Sequence, residues 1–196
     1  MMREAQIKRA LISHLEAAQA NFAGLFIEEL ELNGGEVRAD LVDVQEMHCY
    51  EIKSEADSLR RLIGQGSRYG WVFERITLVL AERHLKNALP MLPLWWGIMI
   101  VPESESSAFR QVRAAKRNKR QEPEVLATLF KRDEAIQVLE EMGLARGWRS
   151  KSLYLIQAHL ASVLSLEELK ERVRDCLMRR VDSSLAPTND LFSIAL

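Results

Sequence analysis

Apolar residues recur along this chain with two different periods, and the switches between them mark out its elements. Ile7, Leu11, Leu15 and Ala18 fall at helical spacing and predict an amphipathic N-terminal helix. From Phe26 the period shortens. "FIEELELN" reads as a strand, Asn33-Gly34-Gly35 as a turn, and "RADLVDV" (38–44) as a second strand. The polar Gln45-Glu46-Met47 turns the chain into a third strand, "HCYEIKS" (48–54), so the second and third strands form a hairpin. Helical spacing returns with Leu59, Leu62, Ile63, Tyr69 and Phe73, behind Asp57 or Ser58 as N-cap. Gly64, Gly66 and Gly70 lie inside this helix, where each costs about 1 kcal/mol relative to Ala. Their presence predicts close packing against the sheet. "RITLVLAE" (75–82) is a continuous apolar strand, "RHLKNALPML" a short helix stopped by Pro93, and "LWWGIMIVPE" (94–103) another strand. The expected order is helix, three antiparallel strands, helix, strand, helix, strand.

Beyond residue 104 the pattern becomes helical. Pro123 opens a helix that Gly143 ends, burying Leu126, Leu129, Phe130, Ile136, Leu139 and Met142. A second helix covers Ser152 to Leu164, and the capping box Ser165-Leu166-Glu167-Glu168 starts a third that runs to about Arg180. The resulting division is a core at 1–104, a basic linker at 105–122, a helical region at 123–182 and a flexible tail at 183–196.

The hairpin carries the candidate chemistry. Alternate residues of a strand share a face, so Glu51 and Lys53 project together while Tyr50 and Ile52 go to the other side. A turn centred near Glu46 sets Asp40 opposite Glu51 or Ile52. Two carboxylates and an ammonium then converge, which suits a hard cation and an activated water. Glu168-Leu169-Lys170 repeats the Glu-X-Lys string within a helical pattern, where the two charges lie about 200° apart and cannot share a site. Upstream, Glu29 is the further acid of choice, with Glu28 the alternative and Glu31 a rival on Glu29's face.

The hairpin bearing Asp40, then Glu51-Ile52-Lys53, resembles the PD-(D/E)XK nuclease superfamily, although Ala39 stands where that pattern has proline. The strings "RADL", "YEIKSEADSLRRL", "ITLVLAERH" and "WWGI", with the Gln65–Tyr69 pair, look like a small bacterial subgroup of it, over most of residues 24–100. The resemblance implies an α/β (α+β) fold with a restriction-endonuclease-like αβββαβ core and mixed sheet, plus an all-helical C-terminal extension. It implies a Mg²⁺- or Mn²⁺-dependent nuclease acting on nucleic acid, DNA above RNA. Asp40, Glu51, Lys53 and Gln65 become catalytic; Asp40, Glu51, Ile52 and Glu29 become the metal set. Arg38, Ser54, Asp57 and Tyr69 become supporting residues near the site. Tyr69 also reads simply as core. The alternative is a catalytically silent module of the same fold that binds nucleic acid or a protein partner.

Composition adds to this in two places. The net charge of -1 supplies no global basic field. Locally, though, "FRQVRAAKRNKRQ" gathers Arg110, Arg113, Lys116, Arg117, Lys119 and Arg120 without an acid, an expected phosphate-binding run. Cys49 and Cys176 show no metal spacing and fit a reducing compartment, and the 4 histidines are scattered. The longest apolar run, near Leu89 to Val101, is broken by prolines and too short to span a bilayer. The expectation is a cytoplasmic protein with no membrane partner, in which the C-terminal helices serve as a homodimer or partner surface.

Overall fold

A computed structural model describes residues 2–18, 25–103 and 108–185. The fold is α+β, built on a six-stranded mixed sheet in the order β1-β2-β3-β4-β5-β6. Helix α1 (Glu4–Ala18) precedes β1 (Phe26–Leu32), β2 (Val37–Asp43) and β3 (His48–Lys53), which pair antiparallel. Helix α2 (Leu62–Gly70) then crosses over to β4 (Arg75–Leu80), parallel to β3. A short segment with α3 (Leu85–Ala88) leads to β5 (Gly97–Ile100), parallel to β4, and β6 (Arg110–Arg113) closes the sheet antiparallel to β5.

Two apolar cores flank the sheet. Ile7, Leu11 and Leu15 of α1 bury against Leu41, Tyr50, Ile52, Val79 and Met99 on one face. Leu62, Tyr69 and Phe73 join Cys49, Ile76, Leu78 and Ile98 in a larger core that also takes in the C-terminal helices. Those helices are α4 (Pro123–Ala127), α5 (Arg132–Glu141), α6 (Leu153–Val163) and α7 (Leu166–Leu185). β3 alternates as expected, with Tyr50 and Ile52 on the α1 side, whereas β2 keeps Ala39 in the larger core and turns Leu41 to the α1 side.

The structure departs from the sequence reading at three places. The segment read as a basic linker contains β6, and behind it Asn118 and Gln121 are buried against the carbonyls of Gly70 and Phe73. The helix expected from Pro123 to Gly143 is two helices. Between them Glu134 accepts from the Lys131 backbone N–H at 2.7 Å, capping a fresh start at Arg132. Gly66 does meet the close packing expected of it, but against an indole rather than a strand: a Cβ there would lie 2.9 Å from the Trp96 ring. Residues 186–196, which hold most of the expected tail, lie outside the described residues.

Candidate active site

The β2–β3 register pairs Leu41 with Tyr50, which sets Asp40 against Glu51, one of the two partners the turn allowed. Asp40 accepts a hydrogen bond from the Ile52 backbone N–H at 2.7 Å. Glu51 is fully buried, at 0% exposure, on the sheet face that carries Cys49 and the larger core, where its partners are polar. Lys53 Nζ lies 2.5 Å from Glu51 Oε1, and the Tyr69 hydroxyl donates to Glu51 Oε2 at 2.7 Å. That hydroxyl also lies 3.0 Å from the Arg38 carbonyl. Tyr69 is therefore core by its ring and site by its oxygen.

Electrostatics follow from this geometry. Burial, and next the charge of Glu51, push the Asp40 carboxyl up to about 7, against the pull of the Ile52 N–H and Lys53. Burial lowers the Lys53 ammonium, but the charge and hydrogen bond of Glu51 outweigh it and leave Lys53 above its ordinary value. Burial and then Glu51 hold the Tyr69 phenol far above its ordinary value, so it stays a donor. Asp40 is the group whose charge is least compensated.

A second layer of charge sits beside Asp40. Glu29 falls opposite Asp40 between the pairs Glu28–Leu41 and Leu30–Ala39, and its backbone departs from the strand with φ 56. That left-handed conformation is strained for a residue with a Cβ. One carboxylate oxygen each from Glu4, Glu29 and Asp40 lie within 4.8 Å of one another. Arg38 Nε lies 2.6 Å from Glu29, and Lys8 pairs with Glu29 and lies 3.4 Å from Glu28 and 3.8 Å from Glu4. The acids gathered on Asp40 are thus Glu29, the choice made from the sequence, and Glu4, which that reading missed. A signal for the missed pair was present: Lys8 falls next to Ile7 and three residues before Leu11, on the apolar stripe of α1, one turn after Glu4.

The remaining expected residues divide. Gln65 lines a cleft of about 790 Å³ with Lys53, Asp57, Ser58 and Arg60, and its Oε1 is buried without a partner among the described residues. Ser54 donates to Asp57 Oδ2 from both its backbone N–H, at 2.7 Å, and its hydroxyl, at 2.6 Å. Those two residues shape the bend after β3. Ser58 caps the turn that follows, accepting from the Arg60 N–H at 3.3 Å. Ile52 meets Asp40 through its backbone N–H while its side chain packs under α1.

The basic run does not form one surface. Register carries Lys53 through Leu80 and Ile100 to Arg110, so Arg110 shares the Lys53 end of the sheet, paired with Glu82. Arg113 donates to the carbonyls of Trp96 at 2.6 Å and Pro93 at 3.0 Å, and Arg117 Nε to Glu74 at 3.0 Å. Lys116, Lys119 and Arg120 are exposed at the opposite end, roughly 17 Å away along β4 at strand rise.

A cluster of acids beside an ammonium, on a strand hairpin of an α+β protein, is the class of site this chain presents. The chain matches the family model of bacteriophage P4 protein cII over residues 1–190 and belongs to that family. It is 27% identical to Protein cII of Enterobacteria phage P4, over 98% of this chain and 72% of that protein. A solved protein of unknown function from Silicibacter pomeroyi is similar with a TM-score of 0.45 and 19% identity, covering 78% of this chain and 97% of that one. Among the described residues, no helix is long and apolar enough to cross a membrane.

Proposed function

We propose that this protein is a metal-dependent nuclease, hydrolysing phosphodiester bonds of nucleic acid, DNA in the first instance, on a restriction-endonuclease-like core. The observation that carries this reading is the meeting of Asp40, Glu51 and Lys53 on one hairpin, with Asp40 pushed up to about 7 by burial and by its acidic neighbour. Crowded carboxylates of this kind are relieved by a hard cation, and the donor set is all oxygen, as Mg²⁺ or Mn²⁺ prefers. Asp40 and Glu51, with Glu29 or Glu4, would hold the ion. When bound, it supplies a water of lowered pKa and neutralises charge on a phosphoryl oxygen. Lys53 keeps its proton and orients the water or meets charge in the transition state. Tyr69 fixes Glu51, and Gln65 lines the cleft that Lys53 enters.

The test is cleavage of single- and double-stranded DNA and of RNA with Mg²⁺ or Mn²⁺, alongside calorimetric titration with Mn²⁺. We expect metal-dependent cutting and a binding heat that Asp40→Asn removes. Protein that cuts none of these and takes up no metal would overturn the reading. One observation favours a second reading, a silent module that binds nucleic acid or protein. Lys8 is buried among Glu4, Glu28 and Glu29, so an ammonium already serves the acids next to Asp40.

A further inference from the structure

A second cleft, of about 320 Å³, opens at the end of the sheet away from Lys53, between α2 and the turn before β5. Its walls include Trp71, Trp95, Trp96, Met91, Leu92 and Arg120. The helix wall presents Gly66, Ser67 and Gly70, small residues that leave room for the indoles. Trp71 is 39% exposed at the rim, whereas Trp96 is buried and its Nε1 has no hydrogen-bond partner among the described residues. A buried donor left without an acceptor is uncommon in a native fold.

The rim is basic. The loop after β6 is pinned along it, with Lys116 N–H donating to the Trp95 carbonyl at 2.8 Å and Asn118 Nδ2 to the Gly70 carbonyl at 2.6 Å. Lys116, Lys119 and Arg120 remain exposed, and none is in an ion pair among the described residues. Aromatic rings beside exposed cations suit a ligand that is at once planar and anionic. The volume sits at the lower end of the roughly 300–1,000 Å³ typical of small-ligand sites.

We propose that this cleft receives one unpaired base of a single-stranded nucleic acid, stacked on the Trp71 and Trp95 indoles, with Lys116, Lys119 and Arg120 on the flanking phosphates. A base within a duplex is stacked on its neighbours and cannot enter, so single strands are preferred. The inference rests on the nucleic-acid part of the function proposed above but not on hydrolysis. It assigns the basic run a role at the far end of the sheet from Asp40.

The experiment is tryptophan fluorescence in EDTA, which keeps substrate intact. The protein is titrated with an oligodeoxyadenylate, with a wholly abasic oligomer of the same length, and with a duplex. We expect quenching by the oligodeoxyadenylate and an affinity roughly tenfold above the abasic oligomer, the scale of one base stacked on an aromatic ring. Arg120→Ala should weaken both and flatten the salt slope by about one. Trp95→Ala should abolish the difference between them. Ser67→Tyr, which fills the cleft from α2 without removing a ring, should do the same. Equal affinity for the two oligomers overturns the base pocket while leaving nucleic-acid binding intact. Binding to neither overturns both, and displacement of the oligomer by an acidic peptide would reassign the cleft to protein.

Discussion

Two glutamates of the sheet region, Glu51 within β3 and Glu74 just before β4, are both withdrawn from water, and their surroundings are opposite. Glu74 accepts from Arg117 at 3.0 and 3.3 Å and has Lys170 at 3.7 Å and Arg174 at 4.0 Å. One carboxylate there gathers three cations and ties the sheet to α7. Glu51 has a single ammonium, Lys53, and shares its field with Asp40, whose nearest donor is a backbone N–H. A carboxylate surrounded by cations is a fastening. A pair of carboxylates that share one cation is charged beyond its own needs, and sites that act on ligands are built from such imbalance.

The contrast can be tested by removing charge at each place. Glu74→Ala strands Arg117 and Arg174 and leaves Lys170 with Glu167 alone, and we expect a loss of about 3 kcal/mol in urea unfolding, the scale of breaking a largely buried ion pair. A change within experimental error would show that the cations relax into water and that Glu74 fastens nothing. Tyr69→Phe removes the hydroxyl from Glu51 and from the Arg38 carbonyl. The expected loss is about 2 kcal/mol, as for a hydrogen bond to a charged acceptor, and cleavage should fall with it as Glu51 loses its anchor.

Asp40→Asn should act in the other direction, and by least. The folded pKa of about 7 lies above the ordinary 3.8, so Asp40 adds stability that is complete below about 3.8 and lost as pH rises through about 7. In metal-free buffer at pH 8, the variant should melt roughly 2–4 °C higher, a gain of about 1 kcal/mol. That gain should vanish near pH 4, where Asp40 itself is neutral. A lower melting temperature at pH 8 would mean that the Asp40 charge is balanced, as that of Glu74 is.

Much of the hairpin was legible because its signals are local. Strand alternation fixes the faces of Glu51 and Lys53, and a short turn narrows the partner of Asp40 to Glu51 or Ile52. Tyr69 was harder, since helical spacing reports where a ring is buried and says nothing of where its hydroxyl reaches. Lys8 on the apolar stripe of α1 signals a buried charge, but its meeting with Glu29, and that of Glu4 with Asp40, follow only from the packing of α1 across the sheet. The strand β6 was hidden for a related reason. Arg110, Gln111, Val112 and Arg113 are mostly exposed, so they carry no apolar alternation, and their pairing depends on β5 alone. The basic run looked like one surface because sequence proximity conceals that β6 carries its two parts to opposite ends of the sheet.

That late strand bears on how the polypeptide can be cut. The β5 segment Gly97-Ile98-Met99-Ile100 is buried at every position, and β6 covers its outer rim with arginines. A fragment ending near residue 104, where composition suggests a domain boundary, would bare an uncharged, hydrophobic ribbon with unpaired amides. Such ribbons recruit one another into aggregates. Soluble expression should therefore require the chain to continue through Arg113 at least, making β6 a guard against self-association.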